Sequence, residues 1–212
     1  MADELVFYTH PQSRGRIVRW MLEEISQPYR TELLEYGTTM KAPAYLAINP
    51  MGKVPAIRHG DTVVTEAAAI CAYLADAFPG ARLAPPSDDR RRGPYYRWLF
   101  FGAGPLEAAW TNKGMGFVVP PERERMAGYG RLETVIAALE QAVSRTEYVV
   151  GDSFTAADVY IGSGLSFGMQ FGMIEKRPAF ERYCQHLSAR PAAQRAKKID
   201  DALAGQQPTP PS

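Results

Sequence analysis

The sequence predicts two halves of different class, an α/β layer structure followed by an all-helical half. Three observations carry that expectation. Over residues 1–80 the apolar positions switch repeatedly between strand-like and helix-like spacing. A stretch rich in Pro and Gly, "FPGARLAPPSDD" at 78–89, then punctuates the chain. Beyond it only helical spacing remains.

The elements follow in order. "ELVFYT" is short, apolar and β-prone, and "SRGRIVRWMLEEI" places Ile17, Val18, Met21, Leu22 and Ile25 at helical spacing. "YRTELLEY" reads as a second strand and "KAPAYLAIN" as a weak helix. In "PAIRHGDTVVT" the His59-Gly60-Asp61 corner joins two β-prone runs, a hairpin signal. "EAAAICAYLADAF" closes the half as a helix, giving the order β-α-β-α-β-β-α with a parallel first pair. Pro79-Gly80 ends that helix, and Pro85-Pro86 stiffens a linker at 81–88. In the second domain, 89–205, four runs read as helices: "DDRRRGPYYRWLFFGAGPLEAAW", "ERERMAGYGRLETVIAALEQAV", "TAADVYIGSGLSFGMQF" and "RPAFERYCQHLSARPAAQRAKKIDDAL". Residues 206–212 read as a disordered tail.

Composition narrows the function classes. With 46% hydrophobic residues and a net charge of +1, the 212-residue chain lacks the basic excess of a nucleic-acid binder. The short runs "RRRG" and "AKKID" read as solvated helix faces. The start "MADELVFYTH" is no signal peptide, and no apolar run approaches the ~20 residues of a membrane span. Cys71 and Cys184 are far apart, form no metal motif and suit a reducing cytosol, each as a small core residue.

"NPMGKVPAI" raises the functional question, because Pro55 sits where a strand should begin and removes a backbone donor. With "VVTEAAAICAYLAD" and "VVGDSFTAADVYI", this segment resembles motifs of the cytosolic glutathione transferases, in the same order and over residues 4–200. The resemblance implies a thioredoxin-like N-terminal domain, an all-α C-terminal domain, glutathione as co-substrate, no metal, a cytoplasmic homodimer and conjugation to small hydrophobic electrophiles. It also implies a cis Val54–Pro55 bond, with the N–H and C=O of Val54 facing the cysteinyl part of glutathione, which is peptide recognition as in β-augmentation.

The remaining site residues follow from the same resemblance. The γ-glutamyl carboxylate would meet the helix N-terminus at Ala67 and Ala68, where free N–H groups favour an anion, with Glu66 facing the ligand's ammonium. The family commonly has Ser where this chain has Ala67, a missing donor worth roughly 1 kcal/mol. Lys53 and Lys41 would meet the glycyl carboxylate. For the thiol, Ser13 resembles the serine of the phi-like pattern and Tyr8 falls where other branches carry a phenol. Thr9, Arg14 or a backbone N–H remain further candidates. The electrophile would lie among residues such as His10, Trp110, Met115, Phe117, Phe167 and Phe171. "TAAD" at 155–158 reads as a structural capping box. Peroxide reduction, thiol–disulfide exchange or dehalogenation on the same scaffold, or a binding module without turnover, are the competing functions.

Overall fold

Strand β1 (Leu5–Thr9) lies at the centre of a four-stranded sheet, and its Leu5, Val6, Phe7 and Thr9 are all buried. The coordinates are a computed structural model, and the structure describes residues 3–206. Helix α1 (Gly15–Ile25) buries the predicted stripe of Ile17, Val18, Met21, Leu22 and Ile25. It crosses over to β2 (Arg30–Leu33), which pairs parallel with β1. The predicted weak helix is one turn, α2 (Pro43–Leu46), preceded by a 3-10 turn. Strands β3 (Ala56–His59) and β4 (Thr62–Thr65) form the hairpin, and β3 pairs antiparallel with β1, so the sheet order is β2-β1-β3-β4. The corner needs Gly60, which sits at φ +57, a left-handed conformation that side chains disfavour. Helix α3 (Ala67–Ala77) follows and buries Ile70, Cys71 and Leu74.

The chain divides into two compact units, one running to Ala81 and resuming at Arg190, the other spanning Arg82–Ala189. The second unit is helical: α4 (Arg92–Phe101), α5 (Glu107–Gly114), α6 (Leu132–Arg145), α7 (Ala156–Gln170) and α8 (Pro178–Ser188). The run read as one helix over 88–110 is interrupted by a π-helical segment, Gly102–Leu106, which contains Pro105. Proline lacks the N–H that a regular α-helix needs there. The run from Glu122 starts as a 3-10 turn, and α6 begins only at Leu132, after Gly130 at φ +64. Asp158, fully buried at the start of α7, accepts the N–H of Val149 and the hydroxyl of Tyr183, each at 2.8 Å, and the N–H of Thr155 at 2.9 Å. That is the capping box read from "TAAD", and it ties three segments of this unit together.

Helix α9 (Pro191–Ala204), expected in the helical domain, belongs instead to the first unit, where it packs along α1. Charges make the join. Arg19 donates to Asp200 at 3.1 Å, with both side chains about 2% exposed, and also to Thr31 at 2.8 Å. Its guanidinium lies 4.9 Å from the centre of the Phe7 ring. Arg190 forks onto Glu24 at 2.7 and 2.9 Å, and Arg195 reaches Glu23 at 3.0 Å. "AKKID" is therefore a solvated face only at its lysines, because Asp200 is core. The expected disordered tail lies outside the described residues from Gln207 onward.

Candidate functional site

The register of the sheet gathers three loops. Tyr8 pairs with Ala56 and Ala56 with Thr65, so the end of β1, the start of β3 and the end of β4 lie side by side. The loop leaving β1, the segment 49–55 entering β3 and the β4–α3 junction therefore meet at one end of the sheet.

The first loop is held by its own polar groups. The N–H of Gln12 donates to Nδ1 of buried His10 at 3.1 Å, and the Tyr36 ring packs 4.5 Å from the imidazole. The Ser13 hydroxyl donates to the C=O of His10 at 2.6 Å and accepts the N–H of Gly15 at 2.9 Å. Gly15 is required here, since a Cβ would lie 1.9 Å from Oγ1 of Thr9. Arg16 donates from Nε to the C=O of Pro11 at 2.6 Å. Tyr8 stands apart from this network. Its ring packs 5.7 Å from that of Tyr45, and the neighbouring Tyr8 phenol is the first cause holding the Arg58 guanidinium above its usual value.

The second loop is built around the Lys53 carbonyl. It accepts the Tyr45 hydroxyl at 2.6 Å and Nδ2 of Asn49 at 2.8 Å. Burial pushes the Tyr45 phenol up to about 12, so it stays a donor at neutral pH. Oδ1 of Asn49 takes the N–H of Met51 at 3.1 Å, closing the turn, and Gly52 sits at φ +57 with its α-carbon face against the Met40 carbonyl. Lys41, expected at a carboxylate, donates to the carbonyls of Met51 and Gly52 at 3.2 and 3.0 Å. The Lys53 side chain is exposed. The Val54–Pro55 peptide bond is cis. Among the described residues, neither the N–H nor the C=O of Val54 has a backbone partner.

At the third junction Glu66 is exposed and adopts φ 66, ψ 117, a strained conformation for a non-glycine residue. It starts α3, with its C=O accepting the N–H of Ile70 at 2.9 Å. The N–H groups of Ala67 and Ala68 follow in the first helical turn, which has no intrahelical acceptors for them. Ala67 itself is 8% exposed. Burial pushes the Cys71 thiol in the same helix up to about 12, which leaves it inert.

The arrangement brings together a free strand edge at Val54, an anion-favouring helix start at Ala67 and a hydroxyl, Ser13, at the entry to α1. Sequence reasoning missed Tyr45 and Asn49 as supports of the Val54 segment. Asn49 was legible, since Asn followed by Pro-x-Gly is a turn signal, whereas Tyr45 needs the fold to reach Lys53. In the second unit Met115, Phe117 and Phe171 are exposed while Trp110 is buried, its indole N–H without a partner among the described residues. Among the described residues no group of three His, Cys, Asp or Glu side chains is placed to hold a metal ion, and no helix is long and apolar enough to cross a membrane.

The model described as glutathione S-transferase, N-terminal domain, matches residues 13–77, and that of the C-terminal domain matches residues 106–191. The chain is 30% identical over 188 residues to glutathione S-transferase GstB of Escherichia coli K12, covering 84% of this chain and 89% of GstB. It is 31% identical over 163 residues to elongation factor 1-gamma of Prunus avium, covering 70% of this chain but 37% of the factor. Among solved structures, the transferase URE2P6 of Phanerochaete chrysosporium, in complex with oxidized glutathione, superposes with TM-score 0.77 at 26% identity, covering 95% of this chain and 98% of that one.

Proposed function

The chain belongs to the glutathione S-transferase family, and from that premise we propose that it binds glutathione at the loop end of its sheet and transfers the thiolate to small hydrophobic electrophiles. The observation that carries this reading is that, among the described residues, the N–H and C=O of Val54 have no backbone partner, at the end of the sheet where α3 starts. The cysteinyl part of the peptide would pair with Val54 as an added strand. Its γ-glutamyl carboxylate would take the N–H groups of Ala67 and Ala68, and Glu66 its ammonium. Lys53 would meet the glycyl carboxylate. Lys41 would reach it only with the N–H left over from its two carbonyl contacts.

The chemical step asks little of the protein beyond a stabilised thiolate. The sulfur lone pair forms a bond to the electrophilic carbon as the leaving group departs with its electrons. Lowering a thiol pKa from about 8.5 by ~2 units needs about 2.7 kcal/mol of preferential thiolate stabilisation. Ser13 would supply a donor by swinging its hydroxyl from the His10 carbonyl to the sulfur, while the N-terminal end of the α1 dipole favours the negative charge. Tyr8 remains the second candidate. The protein would act as a homodimer in the cytoplasm.

Two observations favour a second reading, a glutathione-binding module without turnover. The Ser13 proton is already bonded to a backbone carbonyl, and Ala67 lacks a hydroxyl. Retention on immobilised glutathione followed by turnover with a panel of electrophiles, peroxides and mixed disulfides separates the readings. Conjugation upholds the transferase, retention without turnover upholds the module, and failure to bind removes both.

A further inference from the structure

We propose that Arg16 and Asp201 form a positioning pair for the loop that handles the thiol, an inference that rests on the transferase reading. Arg16 lies in the first turn of α1. Its Nε donates to the C=O of Pro11 at 2.6 Å, and its Nη1 donates to Oδ1 of Asp201 in α9 at 2.7 Å. One planar guanidinium therefore ties a loop carbonyl to a helix 185 positions further along the chain. The other carboxylate oxygen of Asp201 is taken by Lys197, so the carboxylate cannot turn away without losing a cation.

The anchored carbonyl is one residue along from the acceptor of the Ser13 proton. Pro11 stands between His10, whose C=O takes the Ser13 proton, and Gln12, whose N–H bonds the His10 ring. A shift of the Pro11–Gln12 peptide plane thus moves the N–H that holds the His10 ring, and with His10 its carbonyl, the acceptor that competes with sulfur for the Ser13 hydroxyl. The side chains of Arg16 and Asp201 are 27% and 44% exposed, so their ion pair contributes little to folding. Its consequence is geometric. The ion pairs to the second half of α1 from Arg190, which caps α9, and from Arg195 within it, made with Glu24 and Glu23, do not touch this loop. Asp201 also lies beyond the residues matched by the C-terminal family model, which end at 191.

The test uses the full chain with Arg16→Gln, Arg16→Lys, Asp201→Asn and, as control, Arg195→Gln. Hydrogen exchange of the amides of Gln12 and Gly15 reads the loop without any ligand. Exchange should speed up about tenfold in Arg16→Gln and about threefold in Asp201→Asn, with no change in Arg195→Gln. Titration of the bound glutathione thiolate by ultraviolet absorbance reads the consequence. Its pKa should rise by about half a unit in Arg16→Gln, with kcat at neutral pH down about threefold and KM for glutathione within about twofold. Arg16→Lys keeps the charge but cannot span both partners, so it should behave as Arg16→Gln. Unchanged exchange in Arg16→Gln overturns the proposal, as does an equal effect in Arg195→Gln, which would mean that any loosening of α9 suffices. If the wild type shows no bound thiolate, the transferase reading fails, and the exchange comparison alone decides the positioning role.

Discussion

Removing the Ser13 hydroxyl separates its two roles. It caps the N–H of Gly15, and in the proposed mechanism it donates to the thiolate. Ser13→Ala should raise the pKa of the bound thiol by about one unit and lower the conjugation rate at neutral pH about tenfold, with little change in glutathione affinity. Tyr8→Phe should change the rate less than about twofold if Ser13 holds the thiolate. A thiolate titration that moves with Tyr8→Phe and not with Ser13→Ala would reverse the assignment. Ala67→Ser should tighten glutathione binding about fivefold by calorimetry, the worth of one restored hydrogen bond of about 1 kcal/mol. At this scale the sequence was informative where a motif fixes backbone, as at Val54, Pro55 and Glu66. It was silent where a side chain chooses among partners. Lys41 reads identically whether its ammonium meets a ligand carboxylate or, as found, two carbonyls.

Helix α9 carries two adjacent carboxylates that titrate in opposite directions. Burial, outweighing the Arg19 charge, raises the Asp200 carboxyl above its ordinary 3.8. Lys197 first, then Arg16, lower that of Asp201 below 3.8. Between 3.8 and its folded value, Asp200 keeps in the folded state a proton that the unfolded chain has released, so its contribution to stability falls as pH rises through that window. The contribution of Asp201 is complete above 3.8 and is lost as pH falls through its lower folded value. Urea midpoints of the wild type relative to Asp200→Asn and Asp201→Asn across the acid range should show these opposite slopes. At neutral pH, Asp200→Ala should cost about 3 kcal/mol, because it strands the buried Arg19 guanidinium, while Arg195→Gln should cost less than about 1 kcal/mol at the surface. The order of strands and helices was legible because their hydrophobic periods differ. The burial of Arg19 was not, because a cation on an amphipathic helix reads as solvent-facing until Asp200 arrives from another segment to neutralise it.

As a whole, the molecule presents large apolar side chains to solvent, among them Phe100 at 73% and Met51 at 63% exposure. A homodimer would cover such surface, with α3 and the helices of 89–142 as the expected contact. Light scattering at micromolar concentration should give about twice the 23.5 kDa chain mass, and Phe100→Glu should shift the population toward monomer. A single species of chain mass in the wild type would refute this. The two-part division was readable from the change of periodicity and the prolines near 85. The membership of the last helix was not, since an amphipathic stripe states that a face is buried and says nothing about which neighbour buries it. That membership bears on how the protein is made. The sheet unit is split in the chain by the whole of the helical unit. On the ribosome, where emerged segments fold in turn, the helical unit has all its residues before α9 exists, and α1 waits with Arg19 uncovered. Closing the sheet unit is then a long-range event across more than about 100 intervening residues, favoured when the helical unit has already folded and shortened the gap. A nascent chain stalled before Arg190 has emerged should thus hold a protease-resistant helical unit and a sheet unit that is still readily cut.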